Sequence, residues 1–123
     1  MAETKKGHYS PGVVHNGLLY VSGQLPVNAA TGKIAAGGVR EQTLQALANL
    51  DKVLTDFGTD RTKVLQCRVY TPDVALWDEI NAVYAEYFGD HKPSRTIVPT
   101  SGLHYGSLIE IEALAVCDGE DRA

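Results

Sequence analysis

The run Leu108-Ile109-Glu110-Ile111-Glu112-Ala113-Leu114-Ala115-Val116 constrains this chain more than any other stretch. An extended strand turns successive side chains to opposite faces. Ile109, Ile111, Ala113 and Ala115 therefore share one face, while Leu108, Glu110, Glu112, Leu114 and Val116 share the other. The first face is wholly apolar and demands burial. The second mixes apolar residues with two carboxylates, and a buried charge without a partner is costly. Such a strand fits a sheet with helices on one face only. We expect its other face to pack against other subunits.

The stretch Pro93-Ser94-Arg95-Thr96-Ile97-Val98 poses the same question with the opposite charge. Arg95 interrupts a short apolar run. A guanidinium there suits a small anionic ligand, because it offers a planar fork and stays charged. It equally suits a structural ion pair with Glu110 or Glu112.

The remaining elements follow from periodicity and turn chemistry. Asn16-Gly17 between Val13-Val14-His15 and Leu18-Leu19-Tyr20-Val21 predicts a hairpin. Gly23 to Gly38 reads as a long loop with turn residues at Pro26, Asn28 and Thr31-Gly32. Glu41 to Phe57 has Leu44, Leu47, Leu50, Val53, Leu54 and Phe57 at helical spacing, with Gly58 as a stop. Lys63 to Tyr70 reads as a strand with Leu65, Cys67 and Val69 on one face. Asp73 to Phe88 is a second helix, Pro72 suiting its first turn and Gly89 ending it. Its apolar stripe is Leu76, Trp77, Ile80, Val83, Tyr84, Tyr87 and Phe88. The order is β-β-α-β-α-β-β, which predicts an α+β fold: one mixed sheet with two helices on one face. Residues 1–123 form a single domain on this reading.

Composition excludes several classes. Hydrophobic residues at 44% supply a core without disulfide staples. Cys67 and Cys117 lie on apolar runs and read as reduced, buried thiols of a cytoplasmic protein, a single disulfide being the alternative. A net charge of -4 with scattered arginines argues against nucleic acid as a partner; the one adjacent basic pair is Lys5-Lys6. No apolar stretch follows the first residues, and none approaches the ~18–20 residues of a membrane span, so neither a signal peptide nor a membrane partner is expected. His8, His15, His91 and His104 lack ligand spacing, so we expect no metal and no other cofactor.

Several short motifs stand in order along the chain. They are Tyr9-Ser10-Pro11, Val21-Ser22-Gly23-Gln24-Leu25-Pro26, Thr31-Gly32, Pro93-Ser94-Arg95 and Ile109-Glu110-Ile111-Glu112-Ala113. In this order the chain resembles the Rid family, also called YjgF or L-PSP, and most closely its RidA-like imine deaminases. The resemblance runs from about His8 to Val116. It implies a fold like that of chorismate mutase from bacilli and a homotrimer with sites in the clefts between subunits. It also implies hydrolysis of imines derived from 2-aminoacrylate and related enamines, giving 2-oxo acids and ammonia without a cofactor.

By this resemblance Arg95 anchors the substrate carboxylate and Glu110 handles water and protons. Tyr9 brings a hydroxyl to the site, Ser22 and Gly23 line it, and the backbone N–H near Ile97 binds a carboxylate oxygen. Glu112 is expected to pair with Arg68. Asn81 resembles a recurrent family residue, but we read it as a plain polar helix position. Two departures stand out. Ile97 occupies a position where many RidA proteins carry cysteine, which removes a nucleophilic cysteine there. His104-Tyr105 stands where relatives often have a Leu-Pro turn; His104 reads as an exposed loop histidine or as one reaching the site. The competing readings are a ribonuclease or translation inhibitor, and a non-catalytic, chaperone-like trimer that binds small carboxylates.

Overall fold

The computed structural model describes residues 7–123, so the Lys5-Lys6 pair and the segment read for a signal peptide lie outside the described residues. The hairpin forms as its turn residues require. β1 (Gly12–His15) pairs antiparallel with β2 (Leu18–Gln24), and His15 faces Leu18 across the turn. Asn16 and Gly17 have φ of 53° and 76°, the left-handed pair that lets a two-residue turn follow the twist of its strands.

The segment read as a long loop contains a second, very short hairpin, β3 (Val27–Asn28) with β4 (Lys33–Ile34). Two residues per strand are too few to show alternation, which is why periodicity missed it. Asn49 fastens this hairpin to the first helix, its amide donating to Leu25 O and Val27 O at 2.9 Å each.

Helix α1 spans Val39–Asp56. The Glu41 carboxylate accepts the Gly38 N–H at 2.8 Å, satisfying a donor at the helix start. Its inward stripe includes Ala46, Leu47, Leu50 and Leu54, all 2% exposed or less. Leu44 lies to one side of the stripe and is 46% exposed, contrary to its expected burial. β5 (Val64–Thr71) follows. A register shift between Val64 and Gln66 places a bulge at Leu65, which turns that side chain to solvent and leaves Val64, Cys67 and Val69 inside. The expected face is therefore corrected at Leu65.

The second helix begins later than expected. Asp73 Oδ1 accepts the Ala75 N–H at 2.9 Å and starts a single 3-10 turn over Val74–Leu76. α2 then runs Trp77–Phe88, so Pro72 precedes it. Ile80, Val83, Tyr84 and Phe88 are its buried residues. β6 (Ser94–Pro99) and β7 (Glu110–Val116) complete the strands, and further 3-10 turns span Arg61–Lys63 and His104–Gly106.

The large sheet has strand order β1-β2-β7-β5-β6. β7 is antiparallel to both neighbours, and β5 and β6 are parallel. Each helix is a crossover between parallel strands, α1 from β2 to β5 and α2 from β5 to β6. Both helices cover the same face. There Ile109, Ile111, Ala113 and Ala115 are buried, as alternation required. The face opposite carries Tyr20, Arg68, Tyr70, Glu110, Glu112 and Leu114, all exposed or half-buried. The fold is α+β, with two helices on a mixed sheet. Among the described residues no helix is long and apolar enough to cross a membrane.

Candidate functional site

Arg95 and Glu110 stand on opposite faces of the sheet. Arg95 is level with Cys67, whose side chain is buried under the helices, so Arg95 also points toward α2. Its guanidinium donates to Asn81 Oδ1 at 2.9 Å. The guanidinium carbon lies 4.7 Å from the centre of the Tyr84 ring and 5.4 Å from that of Trp77, within reach of the ring faces. Trp77, Asn81 and Tyr84 are spaced i, i+4, i+7, so one helix face presents all three. Asn81, Tyr84 and Arg95 line a cleft of about 320 Å³ between α2 and β6, together with Phe88, His91 and Lys92.

Neither carboxylate of β7 pairs with Arg95, so the structural ion pair considered for it does not form within this chain. Glu112 is engaged elsewhere. It faces Arg68 across the ladder, with Arg68 Nη1 to Glu112 Oε1 at 3.7 Å, and accepts a short hydrogen bond from the Tyr70 hydroxyl. That bond and burial push the Tyr70 phenol above its ordinary range. The expected Arg68–Glu112 pairing is present.

Glu110 sits at the start of β7, half-buried, against β2. A register shift between Val21 and Gln24 bulges β2 at Ser22-Gly23. A Cβ on Gly23 would collide with the Glu110 carboxylate. Glycine is thus required for close approach, and what approaches is this carboxylate. Burial, with Glu112 nearby, holds the Glu110 carboxyl above its ordinary value, and His104 pulls it back. Ser22 adjoins this place. Its hydroxyl donates to Ser10 O at 2.6 Å and its N–H to Pro11 O at 3.0 Å, tying the segment after Tyr9 to β2. The Tyr9 ring itself is 65% exposed.

The predicted residues thus fall into two groups. Ser22, Gly23 and Glu110 gather at the bulged end of β2, with Tyr9 on the adjoining segment; Arg95 and Ile97 belong to the edge strand β6. Tyr70 lies level with both Glu110 and Val98, which places Arg95 three residues along and two strands across from Glu110. That is roughly 14 Å between α-carbons at ordinary strand spacings. A small substrate does not span this distance, least of all through the sheet.

The family model described as Endoribonuclease L-PSP matches residues 2–117. The chain belongs to this family. A RutC family protein of Pyrococcus horikoshii is 39% identical over 109 residues, 89% of this chain and 86% of that protein. The human 2-iminobutanoate/2-iminopropanoate deaminase is 36% identical over 110 residues, 89% of this chain and 80% of that protein. The solved structure of YyfA, a Rid family protein of Yersinia pestis, superposes with a TM-score of 0.88 at 36% identity, covering 94% of this chain and 92% of that one.

Within this L-PSP chain no thiol takes the place that Ile97 leaves. Ile97 packs on the core beside Val69. Cys67, level with Arg95, is the nearest thiol by register, but burial pushes it up to about 11, which keeps it protonated and inert. The hydroxyl of Tyr84 is buried beside the Cys67 thiol, and burial, with that thiol as neighbour, raises it further from ionisation. Periodicity places Trp77 and Tyr84 on an apolar stripe alone. Their spacing with Asn81 was the signal that they also frame Arg95. Among the described residues no cluster of His, Cys, Asp and Glu is placed to hold a metal ion.

Proposed function

We propose that this protein hydrolyses reactive imines formed from 2-aminoacrylate and related enamines, such as 2-iminopropanoate and 2-iminobutanoate, releasing a 2-oxo acid and ammonia in the cytoplasm. The observation that carries the reading is the pairing of two chemistries: a guanidinium freed from carboxylate partners, and a partly desolvated carboxylate. The name of the human relative supports the reaction class.

Arg95 binds the substrate carboxylate through its fork, held in orientation by Asn81 and the two rings. The N–H near Ile97, on the outer strand of the sheet, holds a carboxylate oxygen. Glu110 takes a proton from water as the oxygen attacks the imine carbon. A C–O bond forms and the C=N pair passes to nitrogen. Glu110 then returns the proton to nitrogen, giving a carbinolamine; it next takes the hydroxyl proton and passes it to the amine, so that the C=O bond forms as the C–N bond breaks and ammonia leaves. Tyr9, Ser22 and Gly23 complete the Glu110 side.

The two groups lie on opposite faces of one chain, so we assign them to one site across a subunit boundary, in a homotrimer packed through the open face. The half-buried Tyr70 and Leu114 and the exposed Tyr20 on that face support this packing. The family description also names an endoribonuclease. A net charge of -4 offers little counter-charge for an RNA backbone.

The test generates 2-aminoacrylate with a serine dehydratase and follows pyruvate release with and without this protein. Acceleration that Glu110→Gln lowers through kcat more than through KM is expected. No acceleration with several amino-acid precursors rejects the reading and leaves a carboxylate-binding trimer.

A further inference from the structure

The tail after β7 crosses the end of the first hairpin and returns along its outer strand. Cys117 donates its N–H to Gly17 O at 2.9 Å, and the chain then bends at Gly119 to reach the side of β1 away from β2. There Val14 donates its N–H to Arg122 O at 2.6 Å and accepts the Arg122 N–H at 3.0 Å, an antiparallel bridge. Side chains fasten the same place. Asp121 Oδ1 accepts the Asn16 N–H at 3.0 Å, and Asp121 Oδ2 lies 2.8 Å from His15 Nδ1. The Arg122 guanidinium donates to Phe57 O at 2.8 Å and to Glu120 O at 3.0 Å. Its carbon lies 5.5 Å from the centre of the Phe57 ring.

Two needs are met by these bonds. The last carbonyls of a helix lack partners within it, and their partial negative charge favours a cation. The last turn of α1 has no basic residue of its own, and Arg122 brings one to Phe57, the residue that ends the helix. The second need belongs to the sheet. β1 is an edge strand, and unpaired N–H and C=O groups on an edge are a template for another strand. The Val14 side chain is buried, which holds its outward N–H and C=O in place. The segment that covers them is surface-bound: His15, Asp121 and Arg122 are all exposed, and exposed ion pairs hold weakly.

We propose that residues 120–122 are a strap that closes the β1 edge, and that lifting it lets β1 pair with β1 of a second copy of this chain. In the present bridge Val14 and Arg122 exchange both of their backbone bonds. Val14 of a second copy, approaching about a twofold axis, can make the same exchange in place of Arg122. The strap lies beyond Cys117, where the family match ends, and its action is independent of imine hydrolysis.

The test compares the intact protein with Arg122→Pro and with a chain ending at Cys117. Proline at this position removes the N–H that Val14 O accepts and leaves the rest of the tail. Hydrogen exchange follows the Val14 amide, and sedimentation follows mass over a dilution series. When dilute, both variants should exchange the Val14 amide at least about tenfold faster than the intact protein. On concentration they should form species at multiples of the intact mass, in which the Val14 amide is protected again. Retained protection of the Ile111 amide shows that a variant is folded, and Arg122→Pro decides the matter if the shorter chain is not. A Val14 amide that exchanges no faster, a mass unchanged at every concentration, or a larger mass with the Val14 amide still open overturns the proposal.

Discussion

On the face beneath the helices, Leu19, Val21, Cys67, Val69, Ile111 and Ala115 are buried within one chain. On the other face, Tyr20, Arg68, Tyr70, Glu112 and Leu114 keep partial access to solvent, yet the polar side chains of β5 and β7 already pair with one another. The same strands supply both sets, one residue apart. Folding of a single chain finishes the first face. The second is arranged as a satisfied polar and apolar surface, ready for contact with another. Stability therefore belongs mainly to the first face, while Glu110 and the proposed assembly belong to the second.

Substitutions one residue apart break or sharpen this contrast. Ile111→Ala, under the helices, should cost about 2–5 kcal/mol, read by urea unfolding. Leu114→Ala should cost under about 1 kcal/mol in the isolated chain. In the proposed trimer its loss should grow as protein is diluted, because assembly then sets stability. Equal and concentration-independent losses at both positions would erase the distinction.

The two arginines give the next largest difference. Arg95→Ala should lower kcat/KM for imine hydrolysis on the order of a hundredfold or more, since a charge-assisted fork to substrate is lost. Arg68→Ala removes only a partly exposed pair with Glu112 and should change the rate less than about threefold. A smaller effect is expected from Gly23→Ala. The added methyl forces the Glu110 carboxylate aside, and kcat should fall about tenfold with KM little changed.

The smallest effect is a pH dependence of stability. The Glu110 carboxyl is held above its ordinary 4.5, so in the window above that value the folded chain binds the proton better than the unfolded one. Its contribution is complete below 4.5 and is lost as pH rises through the folded value. Glu110→Gln should remove this decline from a series of unfolding curves measured across the window.

Much of this was legible in the sequence because alternation is a strong signal on a long strand. Ile109 to Val116 revealed both faces, and the hairpin at Asn16-Gly17 needed only its turn residues. Legibility failed where alternation is broken or too short. The bulge at Leu65 shifts one residue to the wrong face, and the strands of the β3–β4 hairpin are too short for any period. At the site, residue types were readable and geometry was not. Ser94 to Pro99 mixes polar and apolar residues on both faces, so nothing in it told that Arg95 points toward α2 while Glu110 points away. Asn81 read as an ordinary polar position, and only the fold made it the partner of Arg95.

The sheet order carries a consequence for how the chain is made. β7 is the last of the described strands to be synthesised, yet it lies at the centre, between β2 and β5. Until it emerges from the ribosome, the β1–β2 hairpin and the β5–β6 pair have no strand in common. Each then shows an unpaired edge to whatever else is in reach. Premature stops before Glu110 should therefore yield two sticky fragments of a sheet instead of a smaller working protein.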